Sequence, residues 1–110
     1  MTTHYRIVLC TYPDDGSAAD LARRLVESRL AACVNVLPGL TSVYGWQGQI
    51  ETDHEALLVV KTRADRFDDL AACIRRHHPY ELPEIVAVPI EQGSSTYLQW
   101  IDSWLDASSS

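Results

Sequence analysis

The sequence predicts an α+β fold in which helices cover one face of an antiparallel sheet, and three observations predict it. Apolar, β-branched segments and amphipathic helical stripes follow one another in the order β-α-β-β-α-β, with one further helix at the C-terminal end. Gly45-Trp46-Gln47-Gly48 reads as the turn of a hairpin between the two longest strand segments. The chain has 110 residues, 46% hydrophobic and 22% charged, which suits one soluble domain with a real core. The order is the split βαβ, or ferredoxin-like, arrangement with a long hairpin. A single domain is expected over residues 1–110, with its ordered core over about 5–106.

Arg6 to Tyr12 is a β-branched, apolar first strand that stops at Pro13-Asp14-Asp15-Gly16. Ser17 is expected to cap a helix, with Asp20 three residues on approximating a capping box. Ala18, Leu21, Ala22 and Leu25 form its stripe, running toward Leu30-Ala31-Ala32. Cys33 to Leu37 begins the second strand, which Pro38-Gly39 bulges before it resumes over Thr41 to Tyr44. The return strand, Gln49 to Thr62, first alternates, with Glu51, Asp53 and Glu55 on one face and Ile50, Thr52 and His54 on the other. It then turns continuously apolar, so its first half projects as an arm and Ala56 to Val60 lies in the sheet centre.

Asp65 or Arg66 opens a second helix, whose stripe is Phe67, Leu70, Ile74 and His77. Pro79 disfavours the α conformation at His78, so this helix ends there or just before. Glu84 to Ile90 reads as the last strand. Gly93-Ser94-Ser95 starts a last helix with Tyr97, Leu98, Ile101, Trp104 and Leu105 at helical spacing, and Asp106 to Ser110 is a tail with no need for order.

The formal charge of -6, without a basic stripe, opposes nucleic-acid binding and is compatible with cations. No apolar run approaches the roughly 20 residues that span a bilayer. The N-terminal residues lack the pattern of a secretory signal, so a cytoplasmic protein without a membrane partner is expected. Three scattered cysteines do not make a disulfide framework. Such a sheet leaves edges and one face open. Trp46 at the hairpin tip and Trp100 with Trp104 on the last helix either cover the core or anchor self-association.

The segment His77-His78-Pro79-Tyr80-Glu81-Leu82-Pro83-Glu84 carries the chemistry. Neighbouring side chains diverge by about 100° within a regular helix, and only an unwound end lets two adjacent imidazoles share an ion. The plain alternative makes His77 a partly buried core residue and His78 a solvated cap at the helix C-terminus.

Five segments together resemble the CutA family, the divalent-cation-tolerance proteins. They are Val8-Leu9-Cys10-Thr11, Arg29 to Asn35, Ser42 to Gly48, His77 to Glu84 and Tyr97 to Ile101, in order across about Ile7 to Leu105. The resemblance implies ferredoxin-like subunits in tight cytoplasmic homotrimers that bind copper, and no catalysed reaction is expected of this chain. By motif, the copper ligands fall on Cys10, His77 and His78. The histidine pair places the chain nearer the copper-binding bacterial type, since many members keep only one. Thiolate with imidazole suits copper or zinc better than magnesium or calcium. Cys73, four residues before His77 on the same helix, is an alternative ligand. Cys33 and His54 are read as ordinary packing and a solvated face.

Two other functions compete. An enzyme with Cys10 as nucleophile and His77 as base lacks an orienting third residue, and Asp14 with Asp15 would repel an anionic substrate. A PII-like trimeric sensor or scaffold would bind a small ligand in clefts between subunits, lined by Tyr44, Trp46, Lys61, Tyr80 and Glu84.

Overall fold

A computed structural model describes residues 4–107, so the last three residues of the expected tail lie outside the described residues. The elements are β1 (Tyr5–Pro13), α1 (Ala18–Glu27), β2 (Cys33–Trp46), β3 (Gln49–Arg63), α2 (Phe67–His77), β4 (Val86–Pro89) and α3 (Ser95–Asp106). A 3-10 turn at Ala64–Arg66 leads into α2. The sheet order is β2-β3-β1-β4 with every neighbour antiparallel, as the predicted element order requires.

Alternation divides the sheet into two faces. Val8, Cys10 and Tyr12 of β1 lie with Ala56, Leu58 and Val60 of β3 against Leu21, Leu25, Leu70, Cys73 and Ile74 of the helices, forming one core. The intervening residues, Ile7, Leu9 and Thr11 with Leu57, Val59 and Lys61, belong by alternation to the face without helices. Fully burying a leucine such as Leu58 contributes about 1.5–3 kcal/mol, so the helix-covered face sets the register.

The helix boundaries follow local chemistry with one exception. Ser17 occupies the N-cap position of α1 but makes no side-chain cap hydrogen bond. Its hydroxyl and its backbone N–H both donate to Asp15 Oδ1, so the expected capping box with Asp20 does not form. Beyond α1, Arg29 adopts a left-handed φ of 59°. Its guanidinium sits 3.4 Å over the Trp104 ring, while Trp104 Nε1 donates to the Val26 carbonyl. Trp104 therefore joins α3 to α1. Trp100 stays exposed.

Two departures of β2 and β3 from regularity were legible. The register shifts between Leu37 and Leu40, at the expected Pro38-Gly39 bulge. The hairpin closes with positive φ at both Gln47 and Gly48, the pattern of a tight two-residue turn. The residues from Gln49 to His54 are exposed on both faces of the ribbon, which makes this stretch the projecting arm. Strand β4 is shorter than the expected Glu84–Ile90. It pairs with Arg6–Leu9 alone, because the Thr11 carbonyl further along β1 is taken by His78.

Helix α3 rests on Ile101 and Leu105, buried with Ala32 in a second cluster. Arg63 ties it to the end of β3 through Asp102 and Asp106, at 3.0 and 2.7 Å.

Candidate functional site

The end of α2 reverses the expected roles of its two histidines. His77, expected on the apolar face, is exposed, and His78, expected as a solvated cap or a free ligand, is buried. The cause lies in what surrounds the last turn. His77 completes the helix, and its Nδ1–H donates back to the Cys73 carbonyl at 2.9 Å, which leaves its ring on the surface. At His78 the backbone unwinds to ψ 133°, as the following proline requires, and the ring swings inward. There Nε2–H donates to the Thr11 carbonyl at 2.7 Å, and Nδ1 accepts the Tyr80 N–H at 3.1 Å. The ring lies between Tyr12 and Tyr80, with centroids 4.7 and 4.6 Å away. Tyr12 in turn donates its hydroxyl to the His77 carbonyl, satisfying one of the unpaired groups at the helix end.

Cys10 sits on the helix-covered face of β1 with no exposed surface. Burial, reinforced by Glu84 and Glu55, pushes its thiol up to about 12, opposite to the thiolate that a metal needs. The alternative ligand Cys73 is also buried, with its sulfur 4.0 Å from His77 Nδ1. Among the described residues no group of three or more His, Cys, Asp or Glu side chains is arranged to hold a metal ion. In this arrangement of one chain, Cys10, His77 and His78 do not fit copper as a ready site. Burial favours the protonated thiol, both nitrogens of His78 are engaged, and His77 lies at the surface. The same geometry leaves the thiol–imidazole pair of the enzymatic reading without a shared hydrogen bond among those observed.

A different group of residues meets at the root of the arm. A cleft of about 890 Å³ opens between the β2–β3 ribbon and the segment from Tyr80 to Val86. Tyr44, Trp46, Tyr80 and Glu84, four of the five residues named for a cleft between subunits, line this one within a single chain. Lys61 does not. It lies six residues along β3 from Glu55, roughly 20 Å at strand rise, where its Nζ donates to Asn35 Oδ1. Asp53, Glu55 and Glu81 belong to the cleft and were not singled out in the sequence. The alternation of Asp53 with Glu55 was visible there. The pairing of Tyr44 with Asp53 and of Tyr80 with Glu55 was not, because it depends on the register of β2 and on the course of the loop after His78.

The cleft's tyrosines are held by its carboxylates. Tyr44 donates its hydroxyl to Asp53, and this bond more than any other influence pushes its pKa up to about 12. Tyr80 is pushed up as well, first by burial and then by its hydrogen bond to Glu55. Glu55 is only 5% exposed.

The family described as CutA1 divalent ion tolerance protein matches residues 6–104. The divalent-cation tolerance protein CutA of Thermus thermophilus is 50% identical over 95 residues, covering 86% of this chain and 92% of that protein. Among solved structures, CutA from Xylella fastidiosa is 42% identical with a TM-score of 0.91, over 94% of this chain and 100% of that one. The periplasmic divalent cation tolerance protein CutA from Archaeoglobus fulgidus is 37% identical with a TM-score of 0.89, over 93% and 99% of the two chains.

Proposed function

This chain belongs to the CutA1 divalent ion tolerance family, and from that premise we propose that it contributes to divalent-cation tolerance as a non-enzymatic, cytoplasmic homotrimer that takes up copper, with zinc as the next candidate. The observation that carries the metal reading is the exposed imidazole of His77. With Nδ1 committed to the Cys73 carbonyl, its outward ring offers Nε2 to an ion. Cys10 and His78 belong to the proposed ligand set on the condition that the hydrogen bonds of His78 to Thr11 and Tyr80 open. Assembly is supported by apolar side chains left outside the two cores, among them Leu37, Val86 and Val88. Among the described residues no helix is long and apolar enough to cross a membrane. One structural relative is described as periplasmic, and fractionation of the native cell tests the cytoplasmic placement.

Native mass spectrometry with copper titrated in tests assembly and uptake together. A trimer taking one ion per subunit, with uptake reduced by His77→Ala, supports the reading. No uptake at micromolar copper, or equal uptake by a variant lacking Cys10, His77 and His78, rejects it.

The cleft favours a second reading, a PII-like trimeric sensor or scaffold for a small organic ligand. It has the size of small-molecule sites, about 300–1,000 Å³, and convergent polar groups.

A further inference from the structure

We propose that the cleft at the root of the arm binds a small organic ammonium ion, with Glu55 as its counter-charge; this rests on the small-ligand reading of that cleft. Three observations converge on a cation of this class. The first is Glu55 itself. A carboxylate this buried ordinarily has a cation against it, because desolvating the charge alone is costly. Here the partner is the Tyr80 hydroxyl, a neutral donor. No ion pair among the described residues includes Glu55 or Asp53.

The second observation is the composition of the walls. Carboxylates come from the arm and from the loop after α2, and the lining contains no Lys, Arg or His. The third is that Tyr44, Trp46 and Tyr80 supply aromatic surface in the same cleft. Aromatic faces attract alkylammonium groups by cation–π interaction and offer a hard metal ion no oxygen ligands. The volume, about 890 Å³, suits an organic body carrying the charge.

The test uses the full-length assembled protein, with choline and putrescine as probes, 1,4-butanediol as the neutral counterpart of putrescine, and magnesium as the metal control. Binding is followed by calorimetry and tryptophan fluorescence in the wild type, Glu55→Gln and Glu84→Gln. The expected result is saturable binding of at least one ammonium probe, one per subunit, weakened about tenfold or more by Glu55→Gln and not reproduced by butanediol. Should Glu55→Gln fail to fold, Glu84→Gln at its exposed position keeps the test decisive through a weaker loss of the same sign. Failure of both ammonium probes to saturate at millimolar concentration overturns the proposal, as does binding that both variants leave unchanged. Saturation by magnesium with the same Glu55 dependence, and no ammonium binding, assigns the cleft to metal. Saturation by butanediol to the same extent rejects the charge but retains the small-ligand cleft. A change of subunit stoichiometry in Glu55→Gln, without any effect on the probes, makes a cation of a second copy the occupant.

Discussion

A soft metal at Cys10 would require the thiol to lose its proton inside the core, where burial holds its pKa at about 12 against an ordinary 9.0. Because the folded value is raised, the protonated thiol contributes stability that is complete below the unfolded pKa and is lost as pH rises toward the folded one. Urea unfolding of the wild type should therefore fall off between about pH 9 and pH 12 more steeply than that of Cys10→Ala, which isolates this thiol from the tyrosines titrating in the same range. Equal slopes would show that the thiol is not desolvated in the folded state. His77 and His78 separate in the same manner. Removing the His78 ring takes the Tyr80 N–H acceptor away and leaves the Thr11 carbonyl with only the weak, long contact from the Cys10 thiol at 3.5 Å, so His78→Ala should cost about 2–3 kcal/mol. His77→Ala, at the surface, should stay within about 0.5 kcal/mol. Urea midpoints of the two variants check the order, and a reversed order would return His77 to the core. The sequence could not show this reversal, since helical spacing carries a stripe forward whether or not anything lies beneath its last residue. The groups that draw His78 inward are 66 and 67 residues away, at Tyr12 and Thr11.

Among the elements, those fixed by backbone restrictions were read correctly, and the misreadings arose where a side chain, near or remote, took a backbone or hydroxyl group that the expected pattern needed. The Pro38-Gly39 bulge and the 45–48 hairpin follow from backbone restrictions in the residues themselves. The capping box at Ser17 failed because Asp15, two residues earlier, competed for the same hydroxyl. The last strand was drawn too long because its partner edge on β1 is occupied by a side chain. Lys61 was named for a cleft between subunits, and within one chain it lies farther along β3, bonded to Asn35. The hairpin turn carries its own prediction. Gln47 sits at φ 50°, a conformation that asparagine tolerates better, and the next residue is already glycine. Gln47→Asn should stabilise the fold by about 0.5 kcal/mol, read as a higher unfolding midpoint. A lower midpoint would mean that the Gln47 side chain makes a contact worth more than its backbone strain.

At the scale of the whole molecule, the arm is the feature that a single copy leaves without support. Among the described residues no helix or third strand lies against the ribbon beyond Glu55, and Ile50 is 82% exposed. A two-stranded ribbon alone is marginally stable in water, while an arm that packs against another copy gains a covering layer. The proposed trimer therefore predicts that order in the arm depends on concentration. Hydrogen exchange should find the amides of residues 41–54 protected in concentrated protein and at least about tenfold less protected after dilution to monomer, with Val8, Leu58 and Val60 in the sheet centre unchanged. Trp46→Ala and Ile50→Lys should bring about the dilute pattern at high concentration, together with a lower sedimentation coefficient and an unchanged core. Arm amides that stay protected in a demonstrated monomer would show that the ribbon stabilises itself. Arm amides that exchange freely in an intact oligomer would place the contact elsewhere, on the open face around Val86 and Val88.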